Sequence, residues 1–284
     1  MSNNPQICGL MLAYFHAEMT LQCLKTLEHQ GIATIVLVDN SADANEHQQT
    51  LELAKSFPEG WLKVIIAPEN LGFAKGMNLA WQHAQRLDNW NYYLILNNDI
   101  LASSNLVKNL TNYFKENPST ALLSVNANTN KNTQSGFYYH RLSGLIFKKP
   151  FLGSFKVASG YCLMIPSKEI LNILFNPTFF MYGEDVELSW QKLKQNKKVH
   201  ILEQSLITHM SSQSSQEGSF FYEYHTNRGH WLLVQILSKN KFERLFMYLL
   251  RIFILMIRAF IRSIRYRCFI PFKAFFRALS NKVI

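Results

Sequence analysis

Four places in this chain carry side chains able to do chemistry. Asp39 ends the apolar run "ATIVLVDN" (33–40), and Asp99 ends "YYLILNND" (92–99). Glu184 and Asp185 follow the apolar stretch "FFMYG" (179–183), and His209 stands in "THMSS" (208–212). A carboxylate at the end of a buried strand can ligate a divalent cation or accept from a ligand N–H. An acidic pair on a pocket wall can take a proton as general base. An imidazole can join a metal or a phosphate. Each residue alone has a plainer reading. Asp caps turns and helix starts, an acidic pair suits the first turn of a helix, and a His after an apolar strand is often structural. Their occurrence together favours a site.

The elements needed to bring them together follow from the hydrophobic pattern. Strands are expected at 7–14, 33–40, 62–70 and 92–99, with helices at 17–30, 46–57 and 74–87 between them. That alternation predicts an α/β fold with a mostly parallel twisted sheet flanked by helices. Ligands in such sheets bind beyond the carboxyl ends of the strands, where Asp39, Asn70 and Asp99 share one edge. Further on, "NANTNKNTQSG" reads as a loop. "FYYHRLSGLIF" and "SFKVASGYCLMIP" read as extended segments of a second, mixed portion of the sheet. "SKEILNILF" reads as a short helix capped by Ser167, and 184–196 as a helix with an acidic first turn.

Dinucleotide and P-loop sites are excluded, because "FHAEM" after the first strand has no glycine-rich phosphate cradle. Without that cradle, a diphosphate in this fold needs another positive partner. A divalent metal on Asp99, flanked by the amides of Asn97 and Asn98, would supply it.

With those residues in view, the chain resembles the family 2 glycosyltransferases of the GT-A fold, in particular the bacterial rhamnosyltransferase-like group. Four blocks carry the resemblance, in order, between residues 7 and 212: "VDNSAD" (38–43), "ENLGFAKGMNLA" (69–80), "LNND" (96–99) and "FFMYGEDVELSW" (179–190). The resemblance implies an inverting, metal-dependent transfer from a UDP- or dTDP-sugar, with rhamnose the first guess. It implies that Asp39 meets the pyrimidine, that Ala13 and Tyr14 flank it, and that Asn70, Gly72, Asn78 and Asn98 shape the donor pocket. Asp99, with His209, would hold Mn²⁺ or Mg²⁺ on the diphosphate, and Asp185 beside Glu184 would be the general base. The chain departs from the family pattern at Phe15 (usually Asn), Asn97 (Asp), Glu187 (Asp), Gln191 (Arg) and Asn196 (Gly). The rival readings are a sugar-nucleotide nucleotidyltransferase, which lacks its basic glycine-rich signature here, and a non-catalytic assembly subunit.

Charge divides the chain in two. Of 29 Lys and Arg against 19 acids, ten basic residues and one acid, Glu243, lie in 241–284. A nearly neutral body with a cationic tail argues against a nucleic-acid binder. The body is taken as residues 1–238 and the tail as 239–284. Arg244, Arg251, Arg258 and Arg265 recur every seven residues, with Arg262 on the same face, and Leu, Ile, Phe and Met fill the rest. The pattern predicts a helix lying on an anionic membrane surface, broken at Pro271 and followed by a second short helix. A peripheral enzyme at the cytoplasmic face of the inner membrane, acting on a lipid-linked glycan of lipopolysaccharide or capsule, is the expectation. Four cysteines without metal or disulfide spacing and no evident secretory signal accord with that compartment.

Overall fold

The computed structural model describes residues 5–128, 133–134, 136–210 and 217–280. Parts of the expected loop "NANTNKNTQSG", and Ser211 and Ser212 of "THMSS", lie outside the described residues. The first half runs β1 (Ile7–Ala13), α1 (Ala17–Leu27), β2 (Thr34–Asp39), α2 (Ala44–Ala54), β3 (Leu62–Ile66), α3 (Gly72–Leu87) and β4 (Tyr92–Asn97). It continues as β5 (Ile100–Ala102), α4 (Leu106–Glu116), β6 (Thr120–Asn128), β7 (Thr133–Gln134), β8 (Phe137–His140), β9 (Ile146–Phe147), β10 (Ser154–Val157) and β11 (Cys162–Pro166). The remainder is α5 (Glu184–Lys194), β12 (Lys198–His209), α6 (Phe220–Leu237), α7 (Lys241–Tyr266) and α8 (Ile270–Ser280).

The main sheet has the order β3-β2-β1-β4-β11-β6-β12-β5. Strands β3, β2, β1 and β4 are mutually parallel, and β11 runs antiparallel between β4 and β6. Every residue of β2 is buried, as a strand covered on both faces requires. One face packs against α1, α2 and α4, the other against α3, α5 and α6. The α/β fold with a mostly parallel sheet is therefore as expected.

Two local readings change. The segments read as one mixed extension of the sheet separate. Strands β8, β9 and β10 form their own three-stranded antiparallel sheet, and only β11 enters the main one. "SKEILNILF" is not a helix beyond a single 3₁₀ turn at Ser167–Glu169. Its end is bonded elsewhere: Asn78 Nδ2 donates to the Phe175 carbonyl (2.7 Å), and the Phe175 N–H donates to Asn78 Oδ1 (2.9 Å). An amide on α3 thus replaces the backbone partners a helix would have supplied, and Leu174 and Phe175 sink into the core.

The tail forms the two helices expected, with a different break. Arg267 ends α7 in the left-handed conformation, and Pro271 sits in the first turn of α8, where its missing N–H is harmless. The Arg face of α7 turns inward. Arg251 is fully buried and donates to the carbonyls of Arg141 (2.8 Å), Leu142 (3.1 Å) and His230 (2.9 Å) and to the Tyr139 hydroxyl (2.9 Å). Arg258 and Arg262 both reach Glu223 of α6, at 2.9 and 2.6 Å, and Glu223 is itself fully buried. Three of the five arginines of the stripe are thus spent on the protein, because carbonyls and a buried carboxylate are there to receive them, while Arg244 and Arg265 stay exposed at its two ends.

The Asn78 clamp yields a prediction. Asn78→Leu leaves a buried N–H and C=O of Phe175 unpaired. It should lower unfolding stability by about 2–4 kcal/mol in urea titration. A loss within the error of the titration would show that the clamp does not hold the 167–175 segment.

Candidate active site

The carboxyl ends of the parallel strands lie in register. Ala13 is opposite Asp39 across β1–β2, and Leu12 is opposite Asn97 across β1–β4. Asp39 is 1% exposed; its Oδ1 accepts from the Ser41 N–H (2.9 Å) and hydroxyl (2.7 Å). Its Oδ2 is buried with no hydrogen-bond partner, so one acceptor at this edge is left for a ligand N–H. Just past Ala13, Tyr14 and Phe15 meet edge to face, and Phe15 and His16 both have left-handed backbone (φ 59° and 63°). Asn tolerates that conformation far better than Phe, which accords with the Asn that the resemblance leads one to expect at 15 and marks the turn as strained by about 1 kcal/mol.

Asp99 and His209 come together through strand pairing. The antiparallel contact of β12 with β5 sets His209 opposite Ile100, and the Met210 N–H donates to the Asp99 carbonyl (2.9 Å). His209 Nε2 then lies 3.2 Å from Asp99 Oδ1, with Asp99 almost fully buried. This approach does not complete a hydrogen bond, so the buried Oδ1 keeps its lone pairs free. A carboxylate oxygen and an imidazole side by side suit a divalent cation. Among the described residues no cluster of three or more His, Cys, Asp or Glu gathers, so further ligands would come from a bound ligand and water.

Glu184 and Asp185 open α5. Tyr182 (φ 67°) and Gly183 (φ 104°) make the left-handed bend before them. Helix α6 presses on this bend: a Cβ on Gly229 would lie 2.3 Å from the Tyr182 carbonyl oxygen, so only glycine fits there. Glu184 is buried and its Oε2 has no hydrogen-bond partner. Burial, with the Asp185 charge adding, holds its carboxyl above the ordinary range. Burial also raises Asp185, opposed by the N–H groups of Val186 and Gly160. Both carboxyls are thus more basic than in water, as a proton acceptor requires.

A cavity of 320 Å³ joins these groups: Asn97, Asp99 and His209 line it with Glu184 and Asp185. A second cavity of 330 Å³ reaches the acidic pair from the side of α6, walled by Tyr139, Ile146, Tyr182, Tyr222 and His230. Burial keeps His230 neutral: its ring is pushed well below the usual range, and its Nδ1 lies 3.1 Å from the Tyr139 hydroxyl.

Other expected donor-pocket residues prove to hold the site together. Asn40 Nδ2 donates to Asn70 Oδ1 (3.0 Å), and the Leu71 N–H donates to Asn40 Oδ1 (2.8 Å). Gly72 (φ 72°) lets Phe73 donate to the Phe180 carbonyl (2.7 Å); a Cβ there would sit 2.4 Å from that oxygen. Asn78 spends its amide on Phe175, and Asn98 donates to the Thr20 hydroxyl (2.9 Å). Two departures from the family pattern touch: Gln191 donates to the buried Glu187, one helical turn away. Asn196 takes the left-handed conformation (φ 58°) that suits glycine best and asparagine next. Sequence reasoning missed Tyr161, Glu217 and Tyr222 on the first cavity and Tyr139 and His230 on the second. They come from segments with no motif, and only folding brings them near the acids.

With this geometry in place, comparison with known proteins is informative. The model of "Glycosyl transferase family 2" matches residues 10–174. No curated protein matches the chain. Among solved structures, GalNAc-T7 with UDP, GalNAc and Mn²⁺ is similar at TM-score 0.60 and 16% identity, over 81% of this chain and 48% of that one. The chain therefore spans about half the length of that protein. The mannosyltransferase PcManGT from Pyrobaculum calidifontis, in complex with GDP-Man and Mn²⁺, is similar at TM-score 0.59 and 12% identity, over 87% and 69%. S. aureus TarS 1–349 is similar at TM-score 0.53 and 13% identity, over 87% and 69%. All three likenesses are of fold.

The raised Glu184 carboxyl sets a pH signature. Above the ordinary glutamate value of 4.5, the folded chain holds a proton the unfolded chain has lost. Stability from this group therefore falls as pH rises, until its folded value is passed. Glu184→Gln removes that decline. Its stability relative to wild type should grow by roughly 1 kcal/mol or more between about pH 5 and 8 in thermal unfolding. Parallel profiles for the two proteins would show that Glu184 is not held neutral.

Proposed function

Since this chain belongs to glycosyl transferase family 2, we propose that it moves a sugar from a UDP- or dTDP-sugar, rhamnose first, to a lipid-linked or growing surface polysaccharide, with inversion at the anomeric carbon. The observation that carries this reading is one cavity whose walls carry both Asp99 with His209 and Glu184 with Asp185. A donor activated at its diphosphate and an acceptor losing a proton need those two kinds of wall a short distance apart.

The roles follow from the atoms. Asp39 Oδ2 accepts an N–H of the donor's base beside Ala13 and Tyr14. Asp99 and His209 would hold Mn²⁺ or Mg²⁺; the free, buried Oδ1 of Asp99 fits such an ion. When bound, the cation neutralises the charge that builds on the departing diphosphate. Asp185 takes the proton of the acceptor hydroxyl as that oxygen attacks the anomeric carbon. The new C–O bond forms on the face opposite the breaking bond to the diphosphate, and inversion results. Glu184, held neutral by its burial, keeps a second negative charge away from Asp185 and the donor.

The acceptor's lipid links this reading to the tail, taken as 239–284. No helix among the described residues is long and apolar enough to cross a membrane. With Arg251, Arg258 and Arg262 inward, α7 turns an apolar stripe outward: Phe242 is 88% exposed, and Leu249, Phe253, Phe260 and Ile264 continue the line. Exposed Lys241, Arg244, Arg265 and Lys273 flank it. Such a surface suits the boundary of an anionic bilayer and supports the reading of a peripheral enzyme, which we put at the cytoplasmic face of the inner membrane in lipopolysaccharide or capsule assembly.

Thermal shift tests the donor site. Among UDP, dTDP, GDP, CDP and ADP, one pyrimidine diphosphate should stabilise the protein only with Mn²⁺, and Asp99→Ala should abolish the effect. Asp185→Asn should keep that response, while transfer from the matching sugar nucleotide falls roughly 100- to 10,000-fold. No response to any nucleotide in folded protein would overturn the donor reading.

A further inference from the structure

A second apolar surface stands apart from α7, on the small sheet. Leu145, Ile146, Phe151 and Leu152 are 45%, 62%, 55% and 90% exposed. They are held out by a stiff turn. Phe147 and Phe151 stack at 4.5 Å, and His140 meets both rings edge on. The Ser154 N–H donates to the Phe151 carbonyl (2.9 Å), while the Phe151 N–H donates to Ser154 Oγ (2.9 Å). Four large apolar side chains kept in water by an ordered turn call for a covering partner.

Charge says what the partner is. Lys148 and Lys149 stand exposed at the tip, and residues 136–158 contain no Asp or Glu. A second copy of this chain seated on the tip would bring lysine against lysine, whereas anionic lipid satisfies the apolar and the cationic groups together. The small sheet is also tied to the tail. Arg141 makes a two-pronged ion pair with Glu243 (2.9 and 2.5 Å), and Arg251 of α7 donates to the Arg141 and Leu142 carbonyls. On its inner side, Ile146 walls the 330 Å³ cavity that reaches Glu184 and Asp185.

We propose that β9 and the turn leading to β10 are a second lipid-contacting element. They seat Phe151 and Leu152 in an anionic membrane surface and hold the Ile146-walled cavity there. The polar head of a lipid-linked acceptor then reaches Asp185 through that cavity, a clause that rests on the transferase reading above.

The test uses the full chain with vesicles of phosphatidylglycerol and phosphatidylethanolamine, and of phosphatidylcholine alone. Phe151→Ser with Leu152→Ser should weaken partition into the anionic vesicles roughly tenfold or more, with the fold retained and only a small drop in unfolding temperature from the lost Phe147–Phe151 stack. Lys148→Glu with Lys149→Glu should weaken it by roughly fivefold or more per lysine, on anionic vesicles only. An environment-sensitive dye on Leu152→Cys, in a Cys268→Ser background, should shift to the blue on those vesicles. If the Phe151/Leu152 variant partitions like wild type while Phe253→Ser with Phe260→Ser does not, this inference falls and the α7 attachment stands. If wild type binds no vesicle yet still shows its nucleotide response, membrane attachment falls and takes this inference with it, leaving the donor site intact. A wild-type dimer that the Phe151/Leu152 variant converts to monomer, with no partition, would assign the surface to a second copy and overturn the proposal.

Discussion

Asp99 and His209 meet because the longest strand of the sheet ends beside one of its shortest. Strand β12 runs parallel to β6 for most of its length and then pairs antiparallel with β5. That last pairing carries a histidine across 110 residues of sequence to a buried carboxylate. A carboxylate with a free oxygen is costly to bury, and it persists only where the surrounding sheet holds it and a ligand can later use it. The remaining parts of the cavity are arranged around this edge. β11 lies between β4 and β6, Tyr161 just before it lines the cavity, and α5 brings the acidic pair to the same cavity.

Several motif residues hold segments of the chain together. Asn40 with Asn70, Gly72 with Phe180, and Asn78 with Phe175 join the end of β2, the start of α3 and the stretch before α5. Two of these three joints fasten "ENLGFAKGMNLA" to the chain that leads into Glu184 and Asp185. Donor edge and acidic pair are thereby held at a set spacing by amide hydrogen bonds and close backbone approach. The left-handed bends at Phe15–His16 and Tyr182–Gly183 store strain on both sides of that spacing.

The tail shows how one pattern serves two surfaces. Buried Arg251, and the Glu223 pair with Arg258 and Arg262, fasten α7 to α6 and to the small sheet. The middle of the outward face is then apolar, since Arg251, Arg258 and Arg262 have been used inside, and exposed cations remain only towards its ends. An ion pair buried this way adds little net stability but fixes orientation, because any other rotation of α7 would strand Glu223.

Much was readable before folding. Alternating strands and helices specified the parallel sheet and the edge where its polar ends gather, because strands buried on both faces can keep polar groups only at their ends. Asp39, Asp99 and the acidic pair were visible as charges set against apolar runs. The segment 167–175 was misread because its partner, Asn78, lies 97 residues from Phe175 in sequence, and periodicity sees only neighbours. Tyr139, Tyr161 and His230 carried no signal, since their places depend on which strands pair and on how α6 packs against them. The heptad of arginines determined by itself that α7 has two unlike faces. Which face meets the protein was decided by the tertiary structure alone, because it depends on whether the opposing surface offers acceptors, and Glu223 with three backbone carbonyls does.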